Sequence, residues 1–159
     1  MIIGNGDIGK ILRDRKGALF FASGVSNSQS DNKDDFRRER SLLLEQPKDL
    51  CLFYFSSISI FCKDSPYTRH KRKMEQIIKS NWNNYNIIRL GNISWGSNPN
   101  TFINFIRTKK KNGEPFELLD EYRYTLNKDE LRLLTDNLPL KGQHEVCIFS
   151  RMAKVKDLI

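Results

Sequence analysis

Tyr54-Phe55-Ser56-Ser57-Ile58-Ser59-Ile60-Phe61, and shortly after it Ser65-Pro66-Tyr67-Thr68-Arg69-His70-Lys71, is the stretch that decides how this chain is read. Leu52 to Ile60 is rich in aromatic and β-branched residues, which predicts a buried central strand. Ser65 suits an N-cap and Pro66 the first helical position, so a helix starts there. Tyr67 and Lys71 are four apart and project from one face of that helix. The serines at the strand end can meet that face, bringing a hydroxyl, a phenol and an ammonium into one small volume. A tyrosine with an ordinary pKa of about 10 is a poor base at neutral pH. A neighbouring ammonium favours the phenolate, which could then exchange a proton with a sugar hydroxyl or carbonyl. Tyr-x-x-x-Lys also arises by accident on helices, so its meaning depends on its surroundings.

Upstream, Met1-Ile2-Ile3 is strand-like and runs straight into Gly4-Asn5-Gly6-Asp7-Ile8-Gly9, with Lys10-Ile11-Leu12 expected to open a helix. In a Gly-x-Gly-x-x-Gly between strand and helix, the glycines make the turn, admit a pyrophosphate and allow close packing. The helix N-terminus adds N–H groups for phosphate. Gly4, Gly6, Asp7, Ile8 and Gly9 are therefore candidate cofactor contacts. Dinucleotide folds place an acidic residue about 20 positions further on, at the end of the second strand. Here Gly17 to Gly24 reads as a strand ending in Ala22-Ser23-Gly24, with no carboxylate. Either Ser23 does the ribose work, or the usual second strand is missing and this is a later one. Val25 to Lys33 is polar and should be a loop at the ligand-facing sheet edge. Asp34 to Gln46 reads as a helix with a stripe of Phe36, Arg40, Leu43 and Leu44, ended by Pro47.

Downstream, the Tyr67 helix should run to about Trp82. Met74, Ile77, Ile78 and Trp82 form its buried side; Arg69, Arg72 and Lys73 lie largely off it. Ile87 to Leu90 is a further buried strand, and Ile93 to Asn100 a loop of hydrogen-bonding groups with one aromatic plane, Trp95. Thr101 to Lys111 is a helix with Phe102, Phe105 and Ile106 inward. Phe116 to Leu119 reads as a short strand. A helix through Leu131, Leu134 and Leu138, a strand at Glu145 to Phe149 and a helix beginning at Met152 complete the chain. Strands alternating with helices imply an α/β fold with a mainly parallel sheet.

The 159 residues, 38% hydrophobic, suit one compact domain. No basic stretch followed by an apolar run marks a secretory signal, and no run is long enough to span a bilayer. Cys51, Cys62 and Cys147 have no metal-ligand spacing; Cys51 and Cys147 are expected to be reduced packing residues, so no metal site and a cytoplasmic setting are expected. The net charge of +8 invites a nucleic-acid reading. Arg69 to Lys73 and Lys109 to Lys111 do not interleave with aromatics as a base-stacking surface would, however. They read as solvated faces, and nucleic acid is not the expected partner.

Taken in order, these stretches resemble an extended short-chain dehydrogenase/reductase, the NAD-dependent sugar epimerase/dehydratase family. The resemblance rests on Gly4 to Gly9, Phe20 to Val25, Phe55-Ser56-Ser57 with Ile60-Phe61, Tyr67 and Lys71 with Glu75 a turn later, and Ile87 to Asn92 leading to Gly96. Asn98 to Phe102 and Tyr122-Arg123-Tyr124 through Asp129 resemble the substrate half. The resemblance implies a reduced Rossmann-like sheet flanked by helices over residues 1–96. A small, incomplete substrate lobe would follow over 97–159, in the same compact domain.

By position, the resemblance makes Ser57 the catalytic hydroxyl, with Ser59 as a neighbouring substitute. Tyr67 is the acid/base, and Lys71 lowers its pKa and binds the nicotinamide ribose. Gly4, Gly6 and Gly9 hold the pyrophosphate of NAD or NADP, with Ala22, Ser23 and Gly24 alongside. Asn92 and Trp95 meet the sugar of a nucleotide-sugar, and Arg123 reaches its phosphates. The implied chemistry is hydride transfer at a sugar carbon during epimerisation, dehydration or keto-reduction, in surface-polysaccharide synthesis. The departures are as clear. The chain has about half the family's usual length, and a strand–helix–strand unit after the first helix is absent, along with the ribose carboxylate. Cys62 stands where glycine is usual. The exposed sheet flank this leaves would be covered by a second copy of the chain. A relative that kept the fold but binds without catalysis is the alternative, and a basic nucleic-acid-binding protein a third reading.

Overall fold

The computed structural model describes residues 1–115 and 122–158; the strand expected at Phe116 to Leu119 lies outside them. Five parallel strands form the main sheet: β1 (Ile2–Ile3), β2 (Ala18–Phe21), β3 (Cys51–Ser57), β4 (Tyr85–Leu90) and β7 (Gln143–Ile148), in that spatial order. A smaller sheet joins β5 (Asn92–Ile93), β6 (Tyr122–Leu126) and β8 (Arg151–Lys154) in the order β5-β6-β8. Four helices connect them: α1 (Lys33–Leu44), α2 (Pro66–Asn81), α3 (Phe102–Lys111) and α4 (Lys128–Asn137).

The side chains of β2 and β3 alternate between two apolar layers, as the strand period of two requires. Phe20, Phe53 and Phe55 face one layer with Leu126 and with Leu131 of α4. Phe21 and Tyr54 face the other with Leu43 of α1 and Met74 and Ile78 of α2. Helices thus cover both faces, and the middle of the sheet is dry: β2, β4 and almost all of β3 are buried.

Several local expectations are corrected. After Gly9 the chain makes only a three-residue 3-10 turn, Gly9–Ile11, before extending at Leu12; three residues cannot supply an α-helical dipole. β2 lies directly beside β1, pairing Ile2 with Phe20 and Ile3 with Phe21. It is therefore the later strand of the two alternatives, and the intervening unit is absent. On α1 the fully buried residues are Glu39 and Leu43, while Arg40 and Leu44 are exposed. On α3, Ile103 and Ile106 are buried and Phe105 is exposed. Cys147 is exposed on β7, the edge strand; only Cys51 is a packing residue. The final helix is instead β8, antiparallel to β6, followed by a 3-10 turn at Val155–Leu158.

Candidate active site

The strand-to-helix stretch folds as the sequence predicts. β3 ends at Ser57, whose hydroxyl caps the 3-10 turn Ile58–Phe61 by accepting from the Ser59 N–H at 3.2 Å. Ser65 then caps α2 in a reciprocal box: its Oγ accepts from the Thr68 N–H, and the Thr68 Oγ1 accepts from the Ser65 N–H. With Pro66 at the first position, this fixes where α2 begins and so where Tyr67 and Lys71 point. Both are buried, Lys71 at 2% exposure.

Tyr67, Lys71 and Ser57 line one cleft of about 220 Å³, together with Gly6, Asp7, Ile8, Ala22, Gly24 and Asn92. Among the described residues the Tyr67 hydroxyl has no hydrogen-bond partner. Ser57 Oγ lies 2.7 Å from Ser59 Oγ, so the two serines form a pair. Ser56, one residue earlier, also lines the cleft and donates to Glu75 at 2.7 Å. Other expected residues lie outside the cleft lining. Ser23 offers its carbonyl to Arg38 at 3.5 Å. Trp95 packs against the core and donates its indole N–H to the Asp7 carbonyl at 3.0 Å. Arg123 lies over the Phe102 ring, 5.0 Å from its centroid.

The three glycines of the turn do different work. A Cβ on Gly4, whose φ is +109°, would sit 2.5 Å from the Ala22 carbonyl oxygen. On Gly9 it would sit 2.3 Å from the Gly4 oxygen. Both are needed by the protein itself. Gly6 is different: a Cβ there would meet nothing within 4 Å, and Gly6 itself lines the cleft. Asp7 lines the cleft, and its carboxylate accepts from the N–H groups of Ser97 and Asn98 at 3.2 and 3.0 Å. Asn98 in turn donates to Ser26 at 2.9 Å, so the loop after β5 bridges two walls of the cleft.

Sequence reasoning missed the buried carboxylate. Glu39 of α1 has no exposed surface. It accepts from Lys71 Nζ at 2.9 Å, the Tyr54 hydroxyl at 2.7 Å and the Val25 N–H at 2.7 Å, and meets His70 Nε2 at 3.0 Å. Burial pushes Glu39 up, but Lys71, His70, Val25 and Tyr54 outweigh it and hold its carboxyl well below the usual range. Burial first, and the Glu39 charge second, push Tyr54 well above its ordinary value, so it remains a donor. Lys71 Nζ also takes up a 3.2 Å contact with the Tyr54 oxygen and lies 5.8 Å from the Tyr67 ring centroid. The Lys71 ammonium expected beside Tyr67 is thus one half of a buried ion pair with Glu39. The available signal was a glutamate at the α1 position that shares a face with Leu43.

No protein-family model and no curated protein matches the sequence. Solved structures do match by fold. The chain superimposes on UDP-glucuronic acid 4-epimerase from Bacillus cereus, solved with UDP-glucuronic acid and NAD, with a TM-score of 0.68 over 96% of its length at 16% identity. It matches dTDP-glucose 4,6-dehydratase from Bacillus anthracis, solved with NAD, at 0.65 over 89% and 14% identity. The fold is that of the NAD-dependent sugar epimerases and dehydratases. The chain also matches CapF from Staphylococcus aureus, a capsular polysaccharide assembling protein, with a TM-score of 0.59 over 89% of its length at 17% identity. The chain spans 60%, 54% and 42% of the lengths of these three structures.

For a nicotinamide nucleotide, the residues present fit the phosphate and nicotinamide end. Gly6 leaves room that the protein does not use, and Ser57, Tyr67 and Lys71 stand across the same cleft. Among the described residues no group of three or more His, Cys, Asp or Glu could hold a metal ion, and no helix is long and apolar enough to cross a membrane.

Proposed function

We propose that this chain is an NAD(P)-dependent enzyme acting on a nucleotide-sugar, of the epimerase, dehydratase or reductase type. The carrying observation is that Ser57, Tyr67 and Lys71 line one cleft with the open glycine Gly6. Tyr67, without a protein partner for its hydroxyl among the described residues, exchanges a proton with a sugar oxygen. Ser57 hydrogen-bonds the same oxygen and orients it. The Glu39–Lys71 pair fixes the floor of the site beneath the phenol. When bound, the nicotinamide ring supplies the acceptor and donor for a hydride. Asn92 faces the sugar, while Trp95 acts indirectly by holding the Asp7 turn, and Arg123 favours the substrate phosphates.

In this reading the protein works in the cytoplasm in surface-polysaccharide synthesis, and a second copy covers the free edge of β1. The likeness to CapF supports the pathway assignment, and the outer edge of β1, unpaired among the described residues, supports the dimer.

The test is calorimetric titration of NADH and NADPH, followed by turnover assays with nucleotide-sugars, with Gly6→Val and Tyr67→Phe alongside. Micromolar binding that Gly6→Val abolishes, with Tyr67→Phe binding but not turning over, is the expected result. A second reading, a binding protein without catalysis, is favoured by one observation: Glu39 cancels the charge of Lys71. It predicts nucleotide-sugar binding that Tyr67→Phe leaves unchanged and no turnover in either protein.

A further inference from the structure

We infer that the cleft holds a nicotinamide nucleotide only by its nicotinamide riboside phosphate half, leaves the adenosine end without protein contact, and so does not distinguish NAD from NADP. This rests on the nicotinamide-nucleotide reading above and specifies what part of that ligand the chain binds.

Dinucleotides lie across the point where strand order reverses, with the first strand central and the second strand, beside it, bearing the carboxylate for the adenosine ribose. In this sheet the order is β1-β2-β3-β4-β7, running in one direction without reversal, and β1 is the edge. The flank that would carry adenosine is missing internally, between two described elements. Only Leu12 to Gly17 join the 3-10 turn after Gly9 to β2, whereas a strand–helix–strand unit needs about 30 residues or more.

Among the described residues the cleft lining holds one carboxylate, Asp7. Asp7 is held by the N–H groups of Ser97 and Asn98. Asp14, the next acid along the chain, is paired with the amino group of Met1. The cleft-lining residues come from the Gly6 turn, from β2 and the loop after it, from β3, α2, β4 and β5, and from the loop that leads into α3. At about 220 Å³ the cleft is smaller than the roughly 300–1,000 Å³ usual for small-molecule sites. The one cation of the cleft lining, Lys71, is held by Glu39, so no lining residue is left to read a 2′-phosphate on the distant ribose.

The experiment is calorimetry with reduced nicotinamide mononucleotide, NADH and NADPH. Displacement by ADP-ribose is measured in parallel. About 0.15 M ionic strength limits the pull of the basic surface on the more anionic nucleotide. The expected result is three dissociation constants within about threefold of one another, no displacement by ADP-ribose, and loss of all three in Gly6→Val that still melts like the parent. NADH binding about tenfold or more tighter than the mononucleotide, a similar gap between NADH and NADPH, or displacement by ADP-ribose would overturn the inference while leaving the proposed function standing. Absence of binding by all three up to millimolar concentration would overturn both.

Discussion

Glu39 shows what a single buried charge does here. Its carboxylate sits between Lys71 and His70 with Val25 and Tyr54 completing the set. Removing one partner of such a pair leaves the other charge buried and unmatched. Glu39→Gln should therefore lower stability by about 3–5 kcal/mol near neutral pH, measured by urea unfolding. The pH dependence has a definite sign. Unfolded, Glu39 takes up its proton near its ordinary 4.5; folded, it resists to well below that. Its contribution is complete above 4.5 and declines as the pH falls from there. The parent should thus lose stability below pH 4.5 more steeply than Glu39→Gln, and equal slopes would remove the pair from the account. Gly24 belongs to the same unit, since a Cβ there would lie 2.8 Å from Lys71 Nζ and 2.9 Å from Glu39 Oε1. Gly24→Ala should cost about 1–3 kcal/mol by crowding, and its loss should not add to that of Glu39→Gln, which a double-mutant cycle reads directly.

Two elements set the geometry of the site. The first is the start of α2, where the Ser65–Thr68 box fixes the turn that presents Tyr67. Ser65→Ala should cost about 1 kcal/mol and, because the next residues carry the site, weaken nucleotide binding as well. The second is the glycine turn after β1. Gly4→Ala meets both a positive φ and the Ala22 carbonyl, so it should destabilise by about 1–3 kcal/mol. Gly6→Ala meets neither and should melt within a few degrees of the parent. Equal melting losses for the two would mean that Gly6 is structural and that the cleft beside it is not its reason. The basic run Arg69 to Lys73 divides along the same helix: Arg69 and Lys73 face solvent, while His70 and Lys71 are buried on Glu39. Arg72 ties the helix to the preceding turn through the Ile60 and Lys63 carbonyls.

At the scale of the molecule, the two sheets share a core. Leu126 of β6 lies with Phe53, Phe55 and Leu90 of the main sheet, and β7 returns from the C-terminal part to pair with β4 along six residues. Arg89 of β4 joins Glu75 of α2 at 2.6 Å and Glu145 of β7, with Lys79 also on Glu145, binding three elements across the sheet edge. Residues 1–96 and 97–159 are accordingly expected to unfold together. Trp82, in the α1/α2 layer, and Trp95, in the loop over the Gly6 turn, provide two probes. Single-tryptophan variants should report the same denaturant midpoint as far-UV circular dichroism, and separate midpoints would make the C-terminal part an independent unit.

The alternation of strand and helix, the buried strand before Ser57, the cap at Ser65 and the inward placement of Tyr67 and Lys71 on one helix were legible in the sequence. Each depends on local patterns: apolar period, capping chemistry and helical spacing. The glycine turn was legible as a turn, and the lack of a ribose carboxylate as a gap. The rest depends on contacts between distant parts of the chain. The neighbour of β1 depends on strand order, which no local pattern encodes, so β2 could be assigned as the later strand only from its pairing. The partner of Lys71 lies 32 residues away on another helix; a glutamate among charged neighbours on α1 looks solvated until the fold buries it. The separate roles of Gly4, Gly6 and Gly9 follow from which backbone each one faces. Local patterns in the chain set which groups are available for chemistry. Long-range packing decided which of them share a cleft, and which are neutralised before any ligand arrives.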